Sequence, residues 1–384
     1  MKSNGFGRAP RRAGGTTRLI LLIAALSACV SAPQPPRAEA ARVEQDGLRP
    51  VTNTWPIKPV ANPPRPYEDI DQRETPSPAL VAVIRNLGQS FNGHVGIAVK
   101  RIGADWTVAY NGNQLFPQQS VSKLWVSMAF LDAVDRGRIS LSDAATITRG
   151  DLTLFHQPTA AMLGSNGSWT TTYADLMKRA MTQSDNTAND TLLRAVGGPE
   201  AVRSFLARRY IRDIRFGPGE RLLQATTAGL EWRQDYSVGR NFYAARNKLP
   251  MAARERALDN YLASPPDGAA PASIVAALAK LKQNQMISPR SAQILMSFME
   301  EAKTGPQRIK GGVPHTWRYM HKTGTGQELN GRATGFNDVG IMTAPDGTSY
   351  AVAVMIGETR VPIPTRWALE QAVAQAIVAN HQER

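Results

Sequence analysis

Apolar residues recur along this chain with two different periods. Over residues 78–91, Leu80, Val81, Val83, Ile84 and Leu87 fall at three- and four-residue spacing, which predicts a helix with one buried face. Residues 94–100 alternate instead, with Val95, Ile97 and Val99 on one side, and predict a strand. Strand-like residues continue over 106–110 and stop at Asn111-Gly112, a turn signal. Val121, Leu124, Trp125, Met128 and Leu131 predict a helix from Ser120 to about Val134. The middle of the chain is helical in pattern, at 173–181, 188–196, 199–209, 272–282 and 289–302. Strands return at 317–321, 335–342 and 349–355, and a helix over about 365–380 closes the chain. Strands at both ends around a helical middle predict an α/β (α+β) fold of two lobes. An antiparallel sheet would join the N- and C-terminal segments, with helices on its faces, beside an all-helical lobe. The sheet lobe is expected over 79–133 and 303–384, and the helical lobe over 134–302.

The front of the chain follows neither period. Residues 1–18 carry Lys2, Arg8, Arg11, Arg12 and Arg18 and no acid, and an apolar run follows over 19–26. That run is shorter than the roughly 20 apolar residues a membrane-spanning helix needs. A basic head before a short apolar core predicts a signal peptide over 1–28. Leu26-Ser27-Ala28-Cys29 resembles the bacterial lipoprotein cleavage box, which implies a diacylglycerol on Cys29 and attachment to a membrane. Val30 offers no aspartate-type retention signal, so the periplasmic side of an outer membrane is the expected location. Cleavage at Ala32 or Ala40 would instead discard Cys29 and leave a soluble periplasmic protein. Cys29 is the sole cysteine, so an intrachain disulfide is impossible. Eleven of the 26 prolines lie between residues 30 and 78, a density that predicts an extended tether over 29–78. From residue 79 the composition is globular, and about 300 residues can bury a large core.

Forty-five basic residues against 31 acids give a net charge of +14, and loss of residues 1–28 with their five cations lowers it to +9. Such a surface is attracted to anionic lipid or wall polymer. The cations are scattered rather than gathered with aromatics in a stripe, so nucleic acid is not an expected partner. The five histidines are dispersed, with no His-x-His and no His-Glu-x-x-His, which argues against a zinc site. No cofactor and no metal are expected.

The chemistry resides in three short motifs in fixed order. They are Ser120-Val121-Ser122-Lys123, Ser184-Asp185-Asn186 and Lys322-Thr323-Gly324. Ser-x-x-Lys alone arises by chance about once in a chain of this length, but the ordered trio does not. On one helix, positions i and i+3 share a face, so the Lys123 amine can reach the Ser120 hydroxyl. A serine alcohol is a weak nucleophile until a base takes its proton. Lys123 can be that base if burial or neighbouring cations disfavour its charged form. The helix start also offers the Ser120 N–H to a developing oxyanion. Lys-Thr-Gly occurs a second time, at Lys303-Thr304-Gly305, after a helical pattern and before Pro306; that copy is assigned to a loop.

Together the motifs resemble those of the penicillin-recognising serine enzymes, in particular the class A β-lactamases. The resemblance spans essentially residues 79–384 and implies the same two-lobed fold. It implies that Ser184 relays a proton to the departing β-lactam nitrogen. Asn186 would hold the substrate amide and Lys123, and Asp185 would structure its loop. Thr325 would donate the second oxyanion-hole N–H, with Lys322, Thr323 and Thr325 binding the substrate carboxylate beside the small Gly324. Class A enzymes carry Glu-x-x-Leu-Asn, whose glutamate activates the water that releases the acyl-enzyme. Glu220-Arg221-Leu222-Leu223-Gln224 has that form with Gln224 in place of asparagine, and Glu231 is the weaker candidate. Pro218-Gly219 stands where the family's arginine precedes the glutamate. Residues 225–264 exceed the family's length and include Arg233, Tyr236, Arg240, Tyr243 and Arg246. His156 reads as a loop or core residue, with the cleft border as the alternative, and Arg332 is a loosely aligned candidate for carboxylate binding.

The expected activity is therefore a serine β-lactamase, monomeric, acting on β-lactam small molecules. The alternative is a lipid-tethered D-Ala-D-Ala peptidase or esterase, or a penicillin-binding protein that turns over slowly. For the anchor, Cys29→Ser is expected to release the mature protein from the membrane fraction or to block processing. A wild type found fully soluble in the periplasm would exclude lipidation.

Overall fold

The computed structural model describes residues 75–381. The signal peptide, Cys29 and the tether up to residue 74 lie outside the described residues. Helix α1 (Pro78–Ser90) starts where Pro78 needs no intrahelical N–H partner, and the Ser77 hydroxyl accepts the Leu80 N–H at 3.4 Å. Strands β1 (Gly93–Arg101) and β2 (Thr107–Tyr110) form a hairpin, followed by the short β3 (Phe116–Pro117). Helix α2 (Lys123–Asp135) is buried continuously from Lys123 to Asp132. A second hairpin pairs β4 (Ala144–Thr148) with β5 (Ser168–Thr172). Then come α3 (Tyr173–Thr182), α4 (Asn186–Ala195), α5 (Pro199–Arg208), α6 (Glu220–Thr227), α7 (Asn241–Lys248) and α8 (Met251–Ala263). Strand β6 (Gly268–Ala269) pairs β3 and leads into α9 (Pro271–Lys282) and α10 (Pro289–Glu300). The chain ends with β7 (Arg318–Thr325), β8 (Glu328–Leu329), β9 (Arg332–Thr343), β10 (Ser349–Thr359) and α11 (Ile363–Ala379).

The sheet runs β2-β1-β10-β9-β7, with β8 folded onto β9, and every pairing is antiparallel. N- and C-terminal segments thus meet at β1 and β10, as the periodicity predicts. Side chains alternate between the two sheet faces. Ile97, Val99, Val352 and Val354 pack on α1 and α11. Ala98, Ala351, Ala353 and Met355 face α9 and the helical lobe.

Two details depart from the sequence-based outline. The lobe boundaries at 133/134 and 302/303 do not follow the packing. Helix α2 packs on α4, α5 and α10 because it is apolar nearly all round, whereas α9 lies on β1 and β10. The lobe between them also contains the β4–β5 hairpin, whose threonines show no strong apolar alternation.

Strand β7 runs four residues past the predicted stop, through Lys322-Thr323-Gly324 to Thr325. Its last residues lie against the turn before α2. A Cβ on Gly324 would stand 2.3 Å from the Gln118 carbonyl oxygen, so only glycine permits that approach. Gly324→Ala is therefore expected to cost about 1–3 kcal/mol through overpacking. Urea unfolding should show a lower midpoint with an unchanged m-value; an unaltered midpoint would show that the turn and strand separate freely.

Candidate active site

The site begins with a turn held in an unusual conformation. Gln119 has φ 53°, in the left-handed region, and opens a 3-10 turn over Gln119–Ser122 that precedes α2. Ser120 therefore sits in that turn, not in the α-helix proper, and Lys123 is the first residue of α2. The turn is held from outside. The Gln119 N–H donates to buried Asp267 Oδ2 at 2.8 Å, and Tyr261 Oη donates to Asp267 Oδ1 at 3.0 Å. Asn337 Nδ2 on β9 donates to the carbonyls of Pro117 at 2.8 Å and Gln118 at 3.1 Å. Asp267, Tyr261 and Asn337 carry no motif, and sequence alone offers no signal for them.

Lys123 is fully buried, and its Nζ donates to Ser120 Oγ at 2.7 Å, to Asn186 Oδ1 at 2.8 Å and to Glu220 Oε1. Asn186 is itself fixed: Nδ2 donates to the Leu154 carbonyl at 2.9 Å and its N–H to the His156 carbonyl at 3.0 Å. Asp185 caps α4, accepting the N–H of Ala188 at 3.0 Å and that of Thr159 at 2.6 Å. Ser184 just before it has φ 61°, a second left-handed residue, and its Oγ accepts from Lys322 Nζ at 2.9 Å. Lys322 is completely buried. That burial, followed by the cations of Lys123 and Arg308, pushes its pKa well below the usual lysine range.

Glu220 opens α6 and is buried. Gly219 at φ 93° supplies the N-cap, which accounts for the pair Pro218-Gly219. The Glu220 N–H donates to Asp190 Oδ1 at 3.2 Å. Gln224, one turn along, donates from Nε2 to Glu220 Oε2 at 3.3 Å and to Gln119 Oε1 at 3.0 Å. Its longer side chain still reaches the carboxylate. Glu231 is exposed and lies outside the cleft lining.

On the opposite wall the loop copy of the repeated motif reaches the site. Thr304 Oγ1 and Thr323 Oγ1 share a hydrogen bond of 2.7 Å, and Thr304 and Gly305 line the cleft. Arg332 does not serve there: it pairs with Glu358 and with Asp259 at 2.6 Å. The cation at this wall is Arg308, which lies three residues after Gly305. It donates to Thr325 Oγ1 at 2.6 Å and to the Gly324 carbonyl at 2.9 Å, with its guanidinium 3.7 Å from the Phe336 ring centroid. The cleft so formed holds about 500 Å³ and is lined by Ser120, Ser184, Asn186, Glu220, Thr323 and Thr325, with His156 at its border.

Residues of all three motifs thus meet at one cleft. A profile of the β-lactamase enzyme family matches residues 79–380. The chain belongs to that family. Within the β-lactamase family it is 27% identical over 281 residues to β-lactamase VEB-1 of Pseudomonas aeruginosa, covering 73% of this chain and 83% of that one. It is 26% identical to the extended-spectrum β-lactamase PER-1 of the same species, covering 78% and 86%. The solved structure of an ancestral class A β-lactamase superposes with a TM-score of 0.61 at 28% identity, covering 79% of this chain and all of that one.

Two buried carboxyls that hold cleft residues of this β-lactamase fold, Asp190 and Asp267, are kept above the normal range. Burial raises Asp190 to about 6, with the Glu220 charge adding to it, and burial raises Asp267 to about 6. Both folded values exceed the unfolded value near 3.8. The folded state therefore holds extra protons between about pH 4 and 6, and stability falls as pH rises through that window. At roughly 1.4 kcal/mol per pKa unit, each group accounts for about 3 kcal/mol. Asp190→Asn keeps an acceptor and removes the ionisation. Its urea-unfolding free energy should fall less than the wild type's between pH 4 and pH 7, by up to about 3 kcal/mol. Equal falls would place the ionisation elsewhere.

Proposed function

We propose that this chain is a serine β-lactamase that cleaves the β-lactam amide through an acyl-enzyme on Ser120. The observation that carries this reading is Lys123, buried between the Ser120 hydroxyl and the Glu220 carboxylate. Ser120 Oγ attacks the lactam carbonyl, and its proton passes to the Lys123–Glu220 pair. The developing oxyanion is met by the backbone N–H groups of Ser120 and Thr325. As the carbon–nitrogen bond breaks, the nitrogen takes the proton of the Ser184 hydroxyl; Lys322, 2.9 Å away, restores it and takes up in turn the proton that left Ser120, so the Lys123–Glu220 pair returns to its starting charge. Lys322, Thr323, Thr325 and Arg308 together suit a carboxylate on the substrate, and Gly324 leaves it room. Water then attacks the ester. Glu220 takes one of its protons and passes it to Ser120 Oγ as the ester carbon–oxygen bond breaks, while Gln224 holds the carboxylate and the water in line. The names of the relatives support the same activity. Attachment to a membrane through Cys29 is part of the proposal and rests on the leader's sequence.

Turnover of a chromogenic cephalosporin by the purified protein tests the reading. Ser120→Ala should abolish both turnover and covalent labelling by a fluorescent penicillin; undiminished labelling would sink the assignment. Glu220→Gln should still be acylated, lose about 100- to 10,000-fold in turnover, and carry a persistent mass adduct. If the wild type itself accumulates the adduct and barely turns over, the chain is a penicillin-binding protein rather than a hydrolase.

A further inference from the structure

Part of the cleft wall takes no role in those steps. Phe155, Tyr243 and Arg246 line it, the last two from α7. Phe155 is 37% exposed and has φ 58°, a conformation rarely held by a bulky side chain. Its ring meets buried Phe242 edge-on at 5.2 Å and Tyr243 at 6.1 Å. The Arg246 guanidinium lies 5.4 Å from the Tyr243 ring centroid and 5.8 Å from that of Phe242.

Among the described residues no carboxylate pairs with Arg246, its Nε is buried without a hydrogen-bond partner, and its Nη1 donates only to the neutral Gln327 Oε1, at 3.4 Å. Burial presses its pKa down, and the nearby Arg254 cation does so further. Glu328 also lines the cleft, exposed, and does not pair with Arg246. An aromatic shelf ending in that guanidinium matches one kind of group: a flat ring that ends in an anion.

We propose that Phe155, Tyr243 and Arg246 form a subsite for β-lactams whose acyl side chain is an aromatic ring bearing a carboxylate. The ring lies against Phe155 and Tyr243, and the carboxylate pairs with Arg246. This rests on the β-lactamase reading and names the substrates that site prefers.

A matched pair of penicillins tests it: benzylpenicillin, and its analogue with a carboxylate at the para position of the phenyl ring. The measured quantity is the ratio of kcat/KM for the carboxylated compound to that for benzylpenicillin. Where turnover is slow, the ratio of acylation rate constants by mass spectrometry replaces it. Arg246→Gln is expected to lower the ratio about tenfold, the size of one partly exposed charge-assisted contact. Arg246→Lys should retain part of it, and Glu328→Gln should raise it. Because Arg246 also touches Gln327, whose Nε2 donates to Gln224 Oε1 at 3.1 Å, an equal loss on both substrates would show that it acts by positioning Gln224, and would overturn the subsite. An unchanged ratio would overturn it too. If neither penicillin acylates the wild type, the β-lactam reading itself fails.

Discussion

The cleft is organised around one ammonium group kept out of water. Taking a lysine cation from water into a protein interior costs several kcal/mol unless its charge and all three donors are met. At Lys123 the three acceptors come from three segments: Ser120 in the turn, Asn186 at the start of α4 and Glu220 at the start of α6. Movement of Glu220 would leave a buried charge unpaired, an outcome that costs about 3–5 kcal/mol, and movement of Ser120 or Asn186 would leave a buried donor unmet. The contacts that satisfy this cation also fix the proposed nucleophile, Ser120, beside its proposed base. Stability and catalytic geometry here share one set of contacts.

Around that centre the backbone is strained where side chains must be aimed. Gln119 and Ser184 both lie in the left-handed region, each next to or within a catalytic motif. Such conformations cost roughly 1–3 kcal/mol and persist only when the surroundings hold them. At Gln119 the holding groups are Asp267 and Tyr261, from a segment about 150 residues away in sequence. At Ser184 they are Lys322 on β7 and the capped start of α4. The two lobes thus supply each other's constraints across the cleft.

The amphipathic helices and alternating strands were legible in the sequence, because one buried face imposes a period. The motif residues were legible because their chemistry needs particular side chains at fixed spacing. Helix α2 was less so: it is buried nearly all round, and a helix without a polar face does not reveal which lobe it joins. An isolated arginine such as Arg308 or Arg332 gives no sign in sequence of whether strands or loops turn it toward the cleft. The second Lys-Thr-Gly was correctly assigned to a loop, yet that loop delivers Thr304 to Thr323. Asp267 and Tyr261 act only through tertiary contact, which no local pattern encodes.

The pairing of β1 with β10 also determines when this domain can assemble. Gly93 lies opposite Thr359, and Arg101 opposite Tyr350, so the sheet joins residues some 250 positions apart. Contacts of such high sequence separation form slowly, since a long loop must close before any pairing repays it. During synthesis, β1 and β2 emerge first and wait, with an apolar strand edge unpaired, until the last strands are made. A chain that stopped before β10 would retain all three motifs and still leave β1–β2 unjoined to β9–β7. The C-terminal strand therefore acts as the completion step, and assembly is all-or-none with respect to chain length.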